Sequence, residues 1–154
     1  MLAKHPDDVS VVLKHMPLRS HRKALDAAVA AQAAHRQNKF WEMNTLLFKN
    51  RRALDRADLE KYAAELGLDV DKFKTDLDDP KTRTEVLADQ RAGLKAGARS
   101  TPSSYVNGHP VRGAKPLDHF ESVVAAELAT AKELLDSGTP LAAIYETSSK
   151  RKIK

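Results

Sequence analysis

Gly97-Ala98-Arg99-Ser100-Thr101-Pro102-Ser103-Ser104-Tyr105-Val106-Asn107-Gly108 is the stretch whose reading decides the fold. Gly97 ends a helical pattern. Ser103 to Val106 reads as a short strand, and Asn107-Gly108 is a strong two-residue hairpin signal. Val111-Arg112-Gly113 supplies the returning strand. The stretch therefore predicts a helix end, a proline loop at Thr101-Pro102, and a hairpin. One absence weighs as much as these motifs: the 154 residues contain no cysteine. Disulfides, thiolate catalysis and cysteine-based metal sites are thereby excluded for this chain.

Upstream of the loop the pattern is helical. A β-branched run at residues 9–13, bounded by Pro6-Asp7-Asp8 and Pro17, predicts a buried core strand with its exit over residues 9–18. Residues 20–49 predict one long helix, with Leu25, Val29, Ala33, Phe40, Met43 and Leu47 on one stripe. Asp55, Asp69 and Asp79 can cap three further helices, and Pro80 suits the first turn of the last. Downstream, Pro116 opens an amphipathic helix with Leu117, Phe120, Val124, Leu128, Ala131 and Leu135 inward, closed by Gly138. The order is strand, four helices, hairpin, helix, which fits an α/β or α+β domain whose small sheet is split by a helical insertion.

Composition places the chain among soluble globular proteins, at 42% hydrophobic and 31% charged residues. The net charge of +5 is mostly local. Without Lys150, Arg151, Lys152 and Lys154 the balance is 22 basic against 21 acidic residues. Residues 146–154 thus read as a basic, frayed tail, and the body lacks the basic stripe of a nucleic-acid binder. No apolar run approaches the roughly 20 residues of a membrane span, and the first residues lack the apolar core of an export signal.

Several segments resemble, in order and spacing, the DsbA-like branch of the thioredoxin superfamily. They are Lys14-His15-Met16-Pro17-Leu18, Lys39-Phe40-Trp41-Glu42-Met43, Tyr62-Ala63-Ala64-Glu65-Leu66-Gly67-Leu68-Asp69, and the proline loop with its hairpin. The resemblance implies a helix-rich α/β fold, thioredoxin-like with a helical insertion and incomplete at its N-terminal side. One domain would cover residues 1–145, with the insertion at 20–96 and the proline loop, hairpin and final helix at 100–137. It implies the activity of a protein thiol–disulfide oxidoreductase. That chemistry needs a C-x-x-C pair activated at a helix N-terminus. The family's strand–C-x-x-C–helix portion precedes the segment that this chain matches, and Met1-Leu2-Ala3-Lys4 resembles the tail of that helix. As this chain, the protein is expected to be redox-inactive. The alternative is a non-catalytic peptide- or protein-binding module.

What the resemblance carries over by residue is a substrate platform at Ser100, Thr101 and Pro102, with a cis peptide before the proline. An extended or unfolded polypeptide would pair there by strand addition. Ser100 stands where the family usually has glycine, and Ser104 where it usually has an apolar residue. No cofactor, metal, nucleic-acid partner or membrane insertion is expected, whereas self-association through unpaired strands is. The family is mostly exported. His15 and His21 read as a solvated or hydrogen-bonded pair, and His35, His109 and His119 as isolated. Phe40-Trp41 reads as core, and Asp76, Asp78 and Asp79 as a solvated helix junction.

Overall fold

A computed structural model describes residues 1–150. Three of its helices begin where the sequence offers an aspartate cap. Helix α1 spans Ala24–His35, α2 Phe40–Lys49, α3 Arg56–Glu65, α4 Val70–Asp78 and α5 Pro80–Lys95. Asp58 accepts from the Asp55 amide at 3.0 Å to begin α3. Asp69 accepts from the Lys72 amide at 2.9 Å to begin α4. Asp79 accepts from the Lys81 amide at 2.8 Å to begin α5, where Pro80 has no amide to satisfy. Gly67 ends α3 with φ of +69°. Strands β1 (Ser103–Val106) and β2 (His109–Arg112) follow, then α6 (Leu117–Asp136), a 3-10 turn at Leu141–Ala143, and α7 (Ile144–Ser149).

The chain forms two compact units. One is continuous, Leu13–Gly97; the other joins residues 1–12 to the chain from Ala98 onward. In the continuous unit, α1 packs against α2, α3, α4 and α5. Ala30, Ala31, Ala33 and Ala34 are all buried on α1, and their small side chains let the neighbours approach closely. Met43 and Phe73, both fully buried, fill the space so opened. Arg36, at the end of α1, donates to Asp76 at 2.7 Å, Asp79 at 3.1 Å and Glu85 at 3.2 Å. It thereby ties α1 to the junction of α4 and α5. In the other unit, β1 and β2 pair antiparallel, with Ser103 opposite Arg112 and Val106 opposite His109. Helix α6 packs against β1 and α7, and Ala98, Val111, Val124, Leu134 and Ile144 are the buried apolar residues of this unit among those described.

Five expectations need correction. The run at residues 9–13 is not a strand, because no described strand runs beside it to complete a ladder. Val11 is 50% and Val12 73% exposed. The long helix over residues 20–49 is two helices. Asn38 takes φ of +60°, a left-handed turn that asparagine tolerates, and the Lys39 amide closes back on the Ala34 carbonyl at 2.9 Å. On α6, Leu117 and Leu135 face solvent, while Glu127 and Leu134 are buried. Trp41 is half exposed rather than core. Asp76 is buried against Arg36, so the acidic junction of α4 and α5 is solvated only in part.

Two results would check this core. Phe73→Ala should cost about 3–5 kcal/mol, whereas Val12→Ala should stay within about 0.5 kcal/mol. Urea unfolding measures both, and a comparable loss at Val12 would restore the buried strand. The second concerns His15, which is buried with its ring edge-on to Phe40 at 5.8 Å. Burial pushes its imidazole below the ordinary value of 6.5, against the opposing pull of Asp89. Below that ordinary value the unfolded chain binds a proton that the folded chain refuses, so stability falls as pH falls. Going from about pH 7.5 to about 5.5, His15→Gln should lose less stability than the parent. Equal losses would contradict it.

Candidate functional site

The residues singled out by the sequence, Ser100, Thr101 and Pro102, are all exposed. Gly97, at φ of +90°, turns the chain out of α5, and Ala98 is buried as an anchor. The loop is held at its downstream side. The Ser103 hydroxyl donates to the Ser100 carbonyl at 2.6 Å. The Gly113 amide donates to the Pro102 carbonyl at 3.1 Å, extending the β1–β2 pairing by one rung. The Thr101–Pro102 peptide bond is cis. Thr101 lies between these fastenings, and among the described residues its own amide and carbonyl have no partner. A fixed loop thus holds out one unused donor and one unused acceptor to solvent.

Below the loop, the hairpin is locked at its far end. Asn107 and Gly108, at φ of +46° and +88°, form the tight turn that the Asn-Gly pair predicts. A Cβ at Gly108 would lie 3.0 Å from the Cα of Ser149, so glycine is required there for space as well as for conformation. Beside this contact, Glu127 of α6 is buried and divides its oxygens between two elements. Oε1 lies 2.6 Å from His109 Nδ1 on β2. Oε2 accepts from the Ser148 hydroxyl of α7 at 2.8 Å. A buried carboxylate is tolerated only when so partnered. In this arrangement the carboxylate, and not the imidazole, accepts the serine hydroxyl.

The sequence missed this cluster. His109 is not isolated, and Ser148, read as part of a frayed tail, is buried in α7. Residues 151–154 of that tail lie outside the described residues. The only available signal was an acid at a helix position two turns from Leu134, which an apolar stripe does not flag. His21, His35 and His119 are exposed. Among the described residues, no group of three or more histidine or acidic side chains could hold a metal. No described helix is long and apolar enough to cross a membrane.

With the geometry in place, comparison with known proteins assigns the family. Residues 1–125 match the family model of the DSBA-like thioredoxin domain, and the chain belongs to that family. It is also similar to part of several proteins named Na(+)/H(+) antiporter NhaA. The one from Herminiimonas arsenicoxydans is 40% identical over 107 residues, 70% of this chain and 17% of that protein. NhaA 3 of Salinispora tropica is 35% identical over 125 residues, 80% of this chain and 19% of the relative. NhaA 1 of Mycolicibacterium vanbaalenii is 36% identical over 124 residues, 79% of this chain and 20% of the relative. The chain therefore spans about a fifth of the length of these curated relatives. No solved structure matches it significantly.

Removing the shared carboxylate is the direct test of the hairpin lock. Glu127→Ala should cost about 1–3 kcal/mol, because Ser148 loses its acceptor in a buried setting. Ser148→Ala added to it should cost little more. Fully additive losses in thermal unfolding would show that the two side chains act separately.

Proposed function

We propose that this DsbA-like domain serves protein thiol–disulfide oxidoreduction on the substrate-holding side, and performs no electron transfer with its own residues. Ser100, Thr101 and Pro102 form the platform. An extended or unfolded polypeptide lies along it, with its backbone paired to the amide and carbonyl of Thr101 as an added rung. The observation that carries this reading is the exposed, hydrogen-bond-free backbone of Thr101, set between the Ser103 and Gly113 fastenings. Neither exchange partner of a thiol–disulfide reaction can come from a chain without cysteine. Binding is therefore the function left to these residues, and it makes them a non-catalytic peptide-binding module.

The setting suggested by the relatives is a second element of the proposal. They are named as sodium–proton antiporters, and this domain corresponds to about a fifth of each. On that reading the domain works beside a membrane-bound ion carrier.

Two measurements test the platform. Insulin reduction by dithiothreitol should proceed at the uncatalysed rate in the presence of the chain. An unstructured, fluorescently labelled peptide should bind, and Thr101→Pro should weaken it about three- to tenfold by deleting one amide donor. Undiminished binding by that variant, with its far-ultraviolet circular dichroism unchanged, would move the site away from Thr101.

A further inference from the structure

Helix α2 leaves two large aromatic side chains in water. Trp41 is 51% exposed and Phe48 75%. They lie seven positions apart, two turns of helix, and so share one face. Trp41 is braced rather than loose, with its ring edge-on to Phe40 at 5.1 Å. Just past Phe48 come Lys49, Arg51 and Arg52, all exposed. Among the described residues these three cations make no ion pair. In the same unit six other cations, Lys14, Lys23, Arg36, Lys39, Arg56 and Lys74, have a carboxylate partner, and the remaining eight also make no ion pair among the described residues. For Lys49, Arg51 and Arg52 the reason is in the sequence: residues 43–54 contain no acid.

We infer that this α2 face docks on an anionic phospholipid surface without crossing it. Tryptophan and phenylalanine beside unpaired cations are the residues that seat a helix in the headgroup layer. The complementarity is of charge as well as polarity. Three uncompensated cations meet acidic headgroups, while the two rings enter the boundary with the acyl chains. A nucleic acid would use the cations but leave Phe48 without a counterpart, since the patch is short and no basic stripe continues it. The inference rests on α2 and its following turn, not on the peptide platform, so Thr101→Pro leaves it intact.

Trp41 is the chain's one tryptophan, so its fluorescence reports on this face alone. Vesicles of phosphatidylglycerol mixed with phosphatidylcholine should bind the full chain and shift Trp41 emission to the blue. Vesicles of phosphatidylcholine alone should not, and high salt should release the protein. Arg51→Ala with Arg52→Ala should weaken partitioning about 30-fold. Phe48→Ser should weaken it about tenfold. Both variants change exposed side chains, and unchanged circular dichroism establishes that they fold. A chain lacking residues 150–154 should keep the blue shift. The inference is overturned if vesicles fail to bind, or if losing the tail abolishes the shift. Equal binding by the arginine variant, or preference for a single-stranded oligonucleotide over vesicles, would also overturn it.

Discussion

The guanidinium of Arg36 is the interaction on which the helical unit depends. It stands where the end of α1 meets the junction of α4 and α5. A single planar cation receives the carboxylates of Asp76, Asp79 and Glu85 from α4 and α5 while its own backbone caps α1. The side chain is mostly withdrawn from water, and Asp76 is buried beside it. Attraction between such groups is strong because solvent does not screen them, and for the same reason removing one partner leaves a costly charge behind. The hydrogen bond that Arg36 donates to Asp76 raises the arginine further above its already high ordinary value, and Asp79 is held below its own, first by the Lys81 amide and then by Arg36. Asp79 therefore has two roles, as the cap of α5 and as one claw on α1.

What could be read in advance was what is written locally. Asp55, Asp69 and Asp79 announce helix starts because a short oxygen can reach an orphan amide in the first turn. Gly67, Gly97 and the Asn107-Gly108 pair announce reversals because left-handed backbone favours those residues. The break at Asn38 was legible in principle by the same rule, but the apolar stripe ran through it and concealed it. Residues 9–13 show the opposite limit. A β-branched run says only that a strand would suit the chain. It becomes one when another strand lies alongside, and that depends on residues far away in sequence.

The candidate site divides the same way. The proline loop was legible as three consecutive residues, and its place before a hairpin fixed its anchoring. Nothing in the sequence distinguishes Thr101 as the residue with a free amide and carbonyl. That follows from Ser103 turning back on Ser100 and from Gly113 reaching Pro102. The His109–Glu127–Ser148 cluster was illegible because its members come from three elements, and each alone looks like an ordinary surface residue. Trp41 and Phe48 were hidden for a different reason. Aromatic residues on an amphipathic helix are core by default, and only the packing of Met43 and Leu47 shows which side of α2 is the inner one.

The division of the chain into a continuous unit and a discontinuous one bears on the order of events at the ribosome. Residues 13–97 are complete, with every partner of Arg36 made, before the proline loop is synthesised. That unit can close as it emerges, from contacts near in sequence. The other unit cannot. Lys4 finds Glu121 only across 117 residues, and the hairpin turn waits for Ser149. Residues 1–12 are thus made before the helical unit, yet they are among the last to find their partners. Until then the nascent chain carries a folded helical body preceded by an unclaimed segment, residues 1–12, the state in which a chaperone has most to hold.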